Sequence, residues 1–146
     1  MFGKAPTILS LRRLANNMTL RVFLVEDSAV IRSNLVAALE ELAPVDVIGF
    51  AEDENTAISW VRTHPQGCDL LVIDIFLKQG SGLTVLREAA HFRYGKVVLS
   101  NYATPDVRRT CLKLGADRVF DKSNEIEALV EFCARFDAGD TGPAGL

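Results

Sequence analysis

The sequence predicts an α/β fold in which helices cover both faces of a parallel β-sheet. Short apolar runs alternate five times with segments of helical periodicity. Such alternation is typical of parallel strands joined by helical crossovers. The chain has 146 residues, of which 49% are hydrophobic and 24% charged, so it suits one globular domain with a sizeable core.

The first half of the chain contains three predicted strands and two predicted helices. The expected strands are the apolar runs at residues 20–25, 45–51 and 69–74. Ser28 is expected to cap the first helix and Pro44 to end it. The positions that would face inward are spaced by three and four residues: Ile31, Leu35, Ala38, Leu39 and Leu42. A second helix follows, marked by the apolar residues Ala57, Ile58 and Val61, and ends near His64 and Pro65.

The second half of the chain contains two more strands and three more helices. Its expected segments include a helix at residues 83–92 and strands at 96–100 and 118–120. Thr104 and Pro105 are a cap followed by proline at the first helical position, and Gly115 ends that helix. Asn124 and Glu127 are expected to form a capping box for the last helix. The inner face of that helix would consist of Ile126, Leu129, Val130 and Cys133.

Both ends of the chain differ in composition from the middle. Residues 1–18 are interpreted as a leader or short helix, residues 19–137 as the folded domain and residues 138–146 as a flexible tail. The alternatives for the first segment are a docked amphipathic helix capped by Thr7, a disordered leader and a natural start at Met18.

The composition argues against several classes of function. A net charge of −3 and a pI near 5.4 disfavour direct nucleic-acid binding. No apolar run approaches the roughly 18 residues of a membrane span, and no signal peptide is recognisable. Three cysteines without metal-like spacing are typical of reduced thiols in a cytoplasmic protein.

Charged and polar residues follow four of the five predicted strands. Glu26 and Asp27 follow the first strand, Asp74 ends the third, Ser100 ends the fourth and Lys122 follows the fifth. In a doubly wound sheet these strand ends share one edge, where such folds build their sites. Three carboxylates this close require cations, so we expect Lys122 and a hard divalent ion, Mg²⁺ or Mn²⁺, among them.

This set of residues predicts a particular chemistry. A carboxylate that is bound to a metal and paired with a lysine can accept a phosphoryl group as a nucleophile. The metal and the ammonium would stabilise charge on the phosphoryl oxygens, and Ser100 would donate a hydrogen bond to the product. Asp74 is therefore the candidate nucleophile. The sequence has no glycine-rich phosphate loop, so side chains and loop amides would hold the phosphate.

Four stretches of the sequence resemble the receiver domain of bacterial response regulators. They are Val-Glu-Asp-Ser at 25–28, Asp-Ile-Phe-Leu-Lys-Gln-Gly-Ser-Gly at 74–82, Val-Leu-Ser-Asn at 98–101 and Gly-Ala-Asp-Arg-Val-Phe-Asp-Lys-Ser at 115–123. The resemblance extends from Met18 to about Phe136. It implies a flavodoxin-like, doubly wound, five-stranded parallel sheet of strand order 2-1-3-4-5 with helices on both faces.

The resemblance also implies roles and partners. By this resemblance, Asp74 is the phospho-acceptor, Ser100 is the switch hydroxyl and Lys122 is the cationic partner. The implied Mg²⁺ ligands are Glu26, Asp27, Asp74 and the backbone carbonyl of Phe76. The implied phosphoryl donor is a histidine kinase or a histidine phosphotransfer protein, and the output is a downstream protein target. Such a protein is a two-component signalling switch with slow autodephosphorylation rather than a metabolic enzyme, and it binds neither nucleic acid nor membrane directly.

Several positions depart from the usual pattern of that family. Lys78 replaces the usual proline of the loop after the acceptor, so this loop is expected to be less rigid. Asn101 replaces a small alanine and is expected to narrow access to the acceptor. Val119 occupies the position of the switch aromatic, for which Tyr102 is the candidate replacement. Ser123 stands where proline is usual.

Two further hypotheses concern aromatic residues. Phe76 and Tyr102 would flank the phosphoryl group, exclude the hydrolytic water and give a long-lived phosphoryl-aspartate. Phe132, Phe136 and Val119 form a candidate patch for a homodimer or another partner, with ordinary core packing as the alternative.

The sequence favours a stand-alone receiver, and three alternatives remain. A receiver fragment of a longer DNA-binding regulator would carry the same residues. An unphosphorylated pseudo-receiver is suggested by Val119 and Ser123, although the complete acid set counts against it. A flavodoxin-like or phosphatase-type enzyme is the third alternative, but an aspartyl phosphatase would want a second acid two residues after Asp74, where Phe76 stands.

Overall fold

A five-stranded parallel sheet with helices on both faces forms from residues 19–136, which are the residues that the computed structural model describes. The strand order 2-1-3-4-5 confirms the prediction. The strands are β1 Leu20–Val25, β2 Val45–Ala51, β3 Leu70–Asp74, β4 Gly95–Ser100 and β5 Arg118–Asp121. The helices are α1 Ala29–Leu42, α2 Glu54–Thr63, α3 Gly82–Ala89, α4 Pro105–Lys113 and α5 Ile126–Arg135. The predicted leader, residue 137 and the predicted tail lie outside the described residues.

The central strand β3 places Asp74 in the middle of the carboxyl edge of the sheet. β3 lies between β1 and β4, so that Ile73 pairs with Val25 and Asp74 pairs with Leu99. All five residues of β3 are buried, because helices cover both faces of a parallel sheet. This burial explains why the strand is a continuous apolar run that ends in a single acid.

Two apolar layers cover the sheet, one on each face. Successive strand residues point to opposite faces, so Val72 packs beneath α1 and α5, whereas Ile73 packs beneath α2, α3 and α4. Leu39 of α1 and Leu129 of α5 are fully buried in the first layer. Within residues 19–136, none of the helices is long and apolar enough to cross a membrane.

The end of α1 differs from the prediction. Leu35 and Leu39 are buried as expected, but Leu42 is 66% exposed. α1 ends at Leu42, and the chain enters β2 only three residues later at Val45. Leu42 therefore lies at the periphery of the domain, where the three-and-four spacing still holds but the sheet no longer lies beneath the helix.

Two helix boundaries also differ from the predictions. The third helix ends at Ala89 instead of residue 92, because Phe92 N–H bonds to the Ala89 carbonyl in a tighter three-residue turn. The predicted capping box of Asn124 and Glu127 is wrong, since Glu125 is the N-cap residue of α5 and makes no side-chain cap bond. Glu125 instead accepts a hydrogen bond from the Asp121 amide, which organises the turn from β5 into α5.

The predicted partner patch is wrong because its residues are part of the core. Val119 and Phe136 are each 7% exposed, and Phe132 is half-buried against Phe120. The Phe136 ring occupies space beside Gly95, where an added Cβ would lie 2.4 Å from Phe136 Cζ. Core packing, the alternative interpretation, is therefore confirmed.

Leu39 and Leu42 provide a matched test of how α1 lies on the sheet. Leu39→Ala is expected to lower the free energy of unfolding by about 2–5 kcal/mol, because it removes fully buried methyl groups and leaves a cavity. Leu42→Ala is expected to change it by less than about 0.5 kcal/mol. Urea unfolding measures both values, and equal losses in the two variants would contradict the described placement of the helix.

Candidate functional site

The carboxyl ends of β1, β3 and β5 bring three acids and one lysine together. Glu26 and Asp27 follow β1, Asp74 ends β3 and Lys122 follows β5. One carboxylate oxygen from each acid lies within 4.8 Å of the other two. Glu26 and Asp74 are buried, whereas Asp27 is half-buried. The residues that the sequence places at separate strand ends therefore share one small volume.

The ammonium of Lys122 lies between two of these acids. Its Nζ is 2.6 Å from Glu26 Oε1 and 3.0 Å from Asp74 Oδ2, and its side chain is only 8% exposed. Burial lowers the pKa of Lys122, but the hydrogen bonds and charges of Glu26 and Asp74 outweigh burial, so that this pKa is raised overall. Lys122 is therefore a permanent cation that bridges β5 to β1 and β3.

Backbone amides orient two of the carboxylates. Asp74 Oδ1 accepts a hydrogen bond of 3.0 Å from the Phe76 amide, so the loop after β3 fixes the rotation of the acid. Asp27 Oδ2 accepts a bond of 2.6 Å from the Lys78 amide in the same loop. The β3–α3 loop, residues 75–81, is thus bonded to both acids.

The donor set fits a hard divalent cation. Two ligands on opposite sides of a Mg²⁺ ion are about 4.2 Å apart, so oxygens already within 4.8 Å need to approach by little. Three carboxylates and one ammonium leave two negative charges uncompensated, which a divalent ion would neutralise. Burial is the main reason that the pKa of Glu26 is raised, and the charge of Asp74 raises it further, as expected where acids outnumber cations. The position of the Phe76 carbonyl as a further ligand stays a prediction.

The end of β4 contributes a hydroxyl and an aromatic residue. Ser100 is fully buried, and its Oγ accepts a 3.0 Å hydrogen bond from the Tyr102 amide. The rings of Tyr102 and Phe76 are both exposed and meet edge to face, with centroids 5.4 Å apart. The two aromatic residues predicted to flank the phosphoryl group therefore contact each other at the site.

The remaining predicted switch residues lie beside the site. Asn101 is exposed and lines a cavity of about 280 Å³ together with Lys122 and residues of α1 and α5. Val119 is buried, and its carbonyl accepts a 2.8 Å bond from Arg108 Nη1. Arg108 also donates 2.9 Å bonds to the Ala103 carbonyl and to the Glu125 carboxylate.

Sequence reasoning missed two residues that support the site. Arg108 ties α4 to β5 and to the start of α5, and Glu54 accepts a 2.8 Å bond from the Ser81 amide of the β3–α3 loop. Both are charged residues of predicted helices, which are usually solvent-facing. Their partners in β5, at the start of α5 and in the β3–α3 loop lie 11–27 residues away in the chain, so no local pattern could indicate these bonds.

A family model described as the response regulator receiver domain matches residues 22–134. The chain belongs to this family. Receiver domains are in general signalling switches that bind Mg²⁺ through an acidic pocket and interact with histidine kinases or phosphotransfer proteins. Among curated relatives, the receiver is 33% identical over 97 residues to protein-glutamate methylesterase/protein-glutamine glutaminase 2 of Hahella chejuensis. That match covers 66% of this chain and 26% of the relative, so the chain spans about a quarter of the relative's length.

Solved structures show the same fold for this receiver. The response regulator domain of Thermotoga maritima CheB has a TM-score of 0.73 and 20% identity, with 86% of this chain and 99% of that chain covered. A chain of the CheX-CheY-BeF3-Mg+2 complex from Borrelia burgdorferi has a TM-score of 0.70 and 19% identity, with 80% of this chain and 89% of that chain covered. At such identities the likeness demonstrates the fold alone.

Metal binding to the receiver can be tested by measuring its melting temperature with and without Mg²⁺. Saturating Mg²⁺ is expected to raise the melting temperature, because an ion present at 100 times its Kd stabilises the folded state by about 2.7 kcal/mol. Asp27→Asn should reduce this rise, since it removes one charged ligand. Asp46→Asn, which removes an exposed acid of β2, is the matched control and should retain the full rise. An unreduced rise in Asp27→Asn would contradict the predicted ligand set.

Proposed function

We propose that this receiver accepts a phosphoryl group on Asp74, with Mg²⁺ held by Glu26, Asp27, Asp74 and the Phe76 carbonyl. The observation that carries the proposal is the buried Lys122 ammonium, 3.0 Å from Asp74 Oδ2 and 2.6 Å from Glu26 Oε1. A purely structural ion pair would need one acid, whereas this lysine faces three acids and leaves an excess of two negative charges. A divalent metal ion would neutralise that excess, and an anionic phosphoryl group could then approach Asp74. Membership of the receiver family supports the same assignment.

Asp74 acts as the nucleophile in this proposal. One of its oxygens forms a bond to phosphorus while the P–N bond of a donor phosphohistidine breaks, and the electron pair leaves with the imidazole nitrogen. Lys122 stabilises the negative charge that collects on the phosphoryl oxygens. When bound, Mg²⁺ neutralises further charge on these oxygens and on the carboxylates.

Ser100 is suited to sense the phosphoryl group. It follows Leu99, the residue that pairs with Asp74, and is fully buried at the carboxyl end of β4. Its Oγ accepts from the Tyr102 amide, which leaves the hydroxyl proton available for donation. Donation to a phosphoryl oxygen would couple the state of Asp74 to the β4–α4 loop.

The proposed phosphoryl donor is a histidine kinase or a histidine phosphotransfer protein of the cytoplasm. The proposed output is a protein target, since a net charge of −3 disfavours direct nucleic-acid binding. The receiver catalyses at most slow loss of its own phosphoryl group. A homodimer is not part of the proposal, because the patch predicted for it is buried.

The form that we propose is a stand-alone receiver. A second candidate is the receiver of a longer regulator, and the length of the curated relatives favours it, because the chain spans only 26% of the Hahella chejuensis protein. An antibody against residues 19–136 distinguishes these forms in the source cells. A band at the 16.0 kDa of this chain supports the stand-alone form, and a band of clearly higher mass supports the longer regulator.

Phosphorylation is tested with a small acyl phosphate and Mg²⁺. Intact-protein mass spectrometry should show one added phosphoryl group in the unaltered protein and in the control Asp46→Asn. Asp74→Ala should show none, because the nucleophile is gone. If Asp74→Ala is still phosphorylated, Asp74 is not the acceptor. If the unaltered protein and Asp46→Asn both remain unphosphorylated, the proposed function is contradicted.

The contact between Phe76 and Tyr102 predicts a long phosphoryl lifetime. Replacing both rings with polar residues, Phe76→Asn with Tyr102→Glu, should admit water and shorten the half-life of the acyl phosphate severalfold. Leu112→Asn changes an exposed apolar residue of α4 and is the control, for which no change is expected. Decay is followed by the mass of the phosphorylated protein after the donor is removed. Equal half-lives in the double variant and the unaltered protein would rule out a protective role for these rings.

A further inference from the structure

The β3–α3 loop is held from two sides by acids that belong to other elements. Asp27, after β1, accepts from the Lys78 amide at 2.6 Å. Glu54, the first residue of α2, accepts from the Ser81 amide at 2.8 Å through Oε1. One of these acids is a proposed metal ligand, whereas the other belongs to no assigned site.

Glu54 holds the loop through its backbone as well as its side chain. The Glu54 amide donates a 3.2 Å bond to the Gln79 carbonyl, so one residue bonds the loop at two points. Gly80 lies between these points with φ of +88°, and a Cβ there would lie 2.3 Å from Glu54 Cβ. Glycine is therefore required both by the left-handed backbone and by the close approach of Glu54.

The bond from Ser81 to Glu54 also constrains the metal side of the site. Ser81 forms an antiparallel bridge with Phe76, and the adjoining Gly82 amide donates a 3.1 Å bond to the Ile75 carbonyl. Phe76 in turn orients Asp74 through its amide. A shift of Ser81 would therefore displace Phe76, whose carbonyl is a proposed ligand.

Lys78 stands in the middle of the loop, where receivers usually have proline. The residue lacks the ring that would fix φ in a proline, so the middle of the loop is less restricted by its own covalent structure. The loop is restricted instead by the hydrogen bonds that its Lys78 and Ser81 amides donate to the carboxylates of Asp27 and Glu54. The two acids differ in position, since Asp27 belongs to the acid cluster, whereas Glu54 is not one of its members and bonds the Ser81 amide.

We propose that Glu54 is a positioning residue for the magnesium site and sets its affinity for the ion without contacting the acceptor. The inference rests on the proposed function of Asp74 and its metal ligands. Residues that orient metal ligands through hydrogen bonds typically change metal affinity by about 10–100-fold when they are removed. Loss of Glu54 should therefore weaken Mg²⁺ binding, while phosphorylation at saturating Mg²⁺ should proceed at the normal rate.

The experiment is a Mg²⁺ titration of the full chain followed by backbone amide NMR signals, with hydrogen exchange of the Ser81 amide as a second measurement. Glu54→Ala should weaken Mg²⁺ binding about 10-fold or more and should speed exchange at Ser81. Glu54→Gln keeps an oxygen acceptor and should restore most of both properties. Glu127→Ala, an exposed acid of α5, controls for loss of one negative charge. Gly80→Ala should disrupt the same contact from the loop side, because its added methyl group would clash with Glu54. It should weaken Mg²⁺ binding in the same way as Glu54→Ala.

The outcomes separate the inference from the proposed function. Unchanged Mg²⁺ affinity in Glu54→Ala would overturn the inference alone. Equal weakening in Glu54→Ala and Glu54→Gln would also overturn it, because the effect would then follow the charge and not the hydrogen bond. No Mg²⁺ binding by the unaltered protein would overturn the proposed function and the inference together. Weaker Mg²⁺ binding in Glu54→Ala and Gly80→Ala, with most of the affinity restored in Glu54→Gln, would support the inference.

Discussion

The position of Lys122 between Glu26 and Asp74 is the constraint on which the rest of the site depends. Two buried carboxylates side by side are strongly unfavourable unless a cation joins them. Lys122 follows β5, two strand positions from β3 in the order 2-1-3-4-5, or roughly 10 Å at the usual strand spacing. A long side chain is therefore needed to reach Asp74. Sheet order, strand ends and side-chain length are thus mutually dependent.

The fold and the grouping of the acids could be predicted because their signals are local. Buried parallel strands are continuous apolar runs, and the acid that ends each run lies on a known edge of the sheet. Leu42, Phe136 and Glu125 were not predictable in the same way. Leu42 is exposed because the sheet ends before it. Phe136 is buried because there is space for its ring beside Gly95. Glu125 accepts a hydrogen bond from the Asp121 amide of β5. Such contacts join segments that sequence patterns treat separately.

The guanidinium of Arg108 connects three segments that lie next to the site. Arg108 bonds the carbonyl of Ala103 in the β4–α4 loop, the carbonyl of Val119 in β5 and the carboxylate of Glu125 at the start of α5. The buried Val119 side chain offers no ring that could change orientation there. The β4–α4 loop, β5 and the start of α5 are therefore joined by the hydrogen bonds of Arg108 rather than by an aromatic side chain at position 119.

The most direct test of Asp74 as the phospho-acceptor is to locate the phosphoryl group. The protein is treated with an acyl phosphate and Mg²⁺, reduced with borohydride, which converts a phosphorylated aspartate to homoserine, and digested for tandem mass spectrometry. The assignment of Asp74 as acceptor predicts homoserine at position 74 alone, because Asp74 ends the central strand and lies 3.0 Å from the Lys122 ammonium. Homoserine at position 27, or at no acid of the cluster, would contradict it.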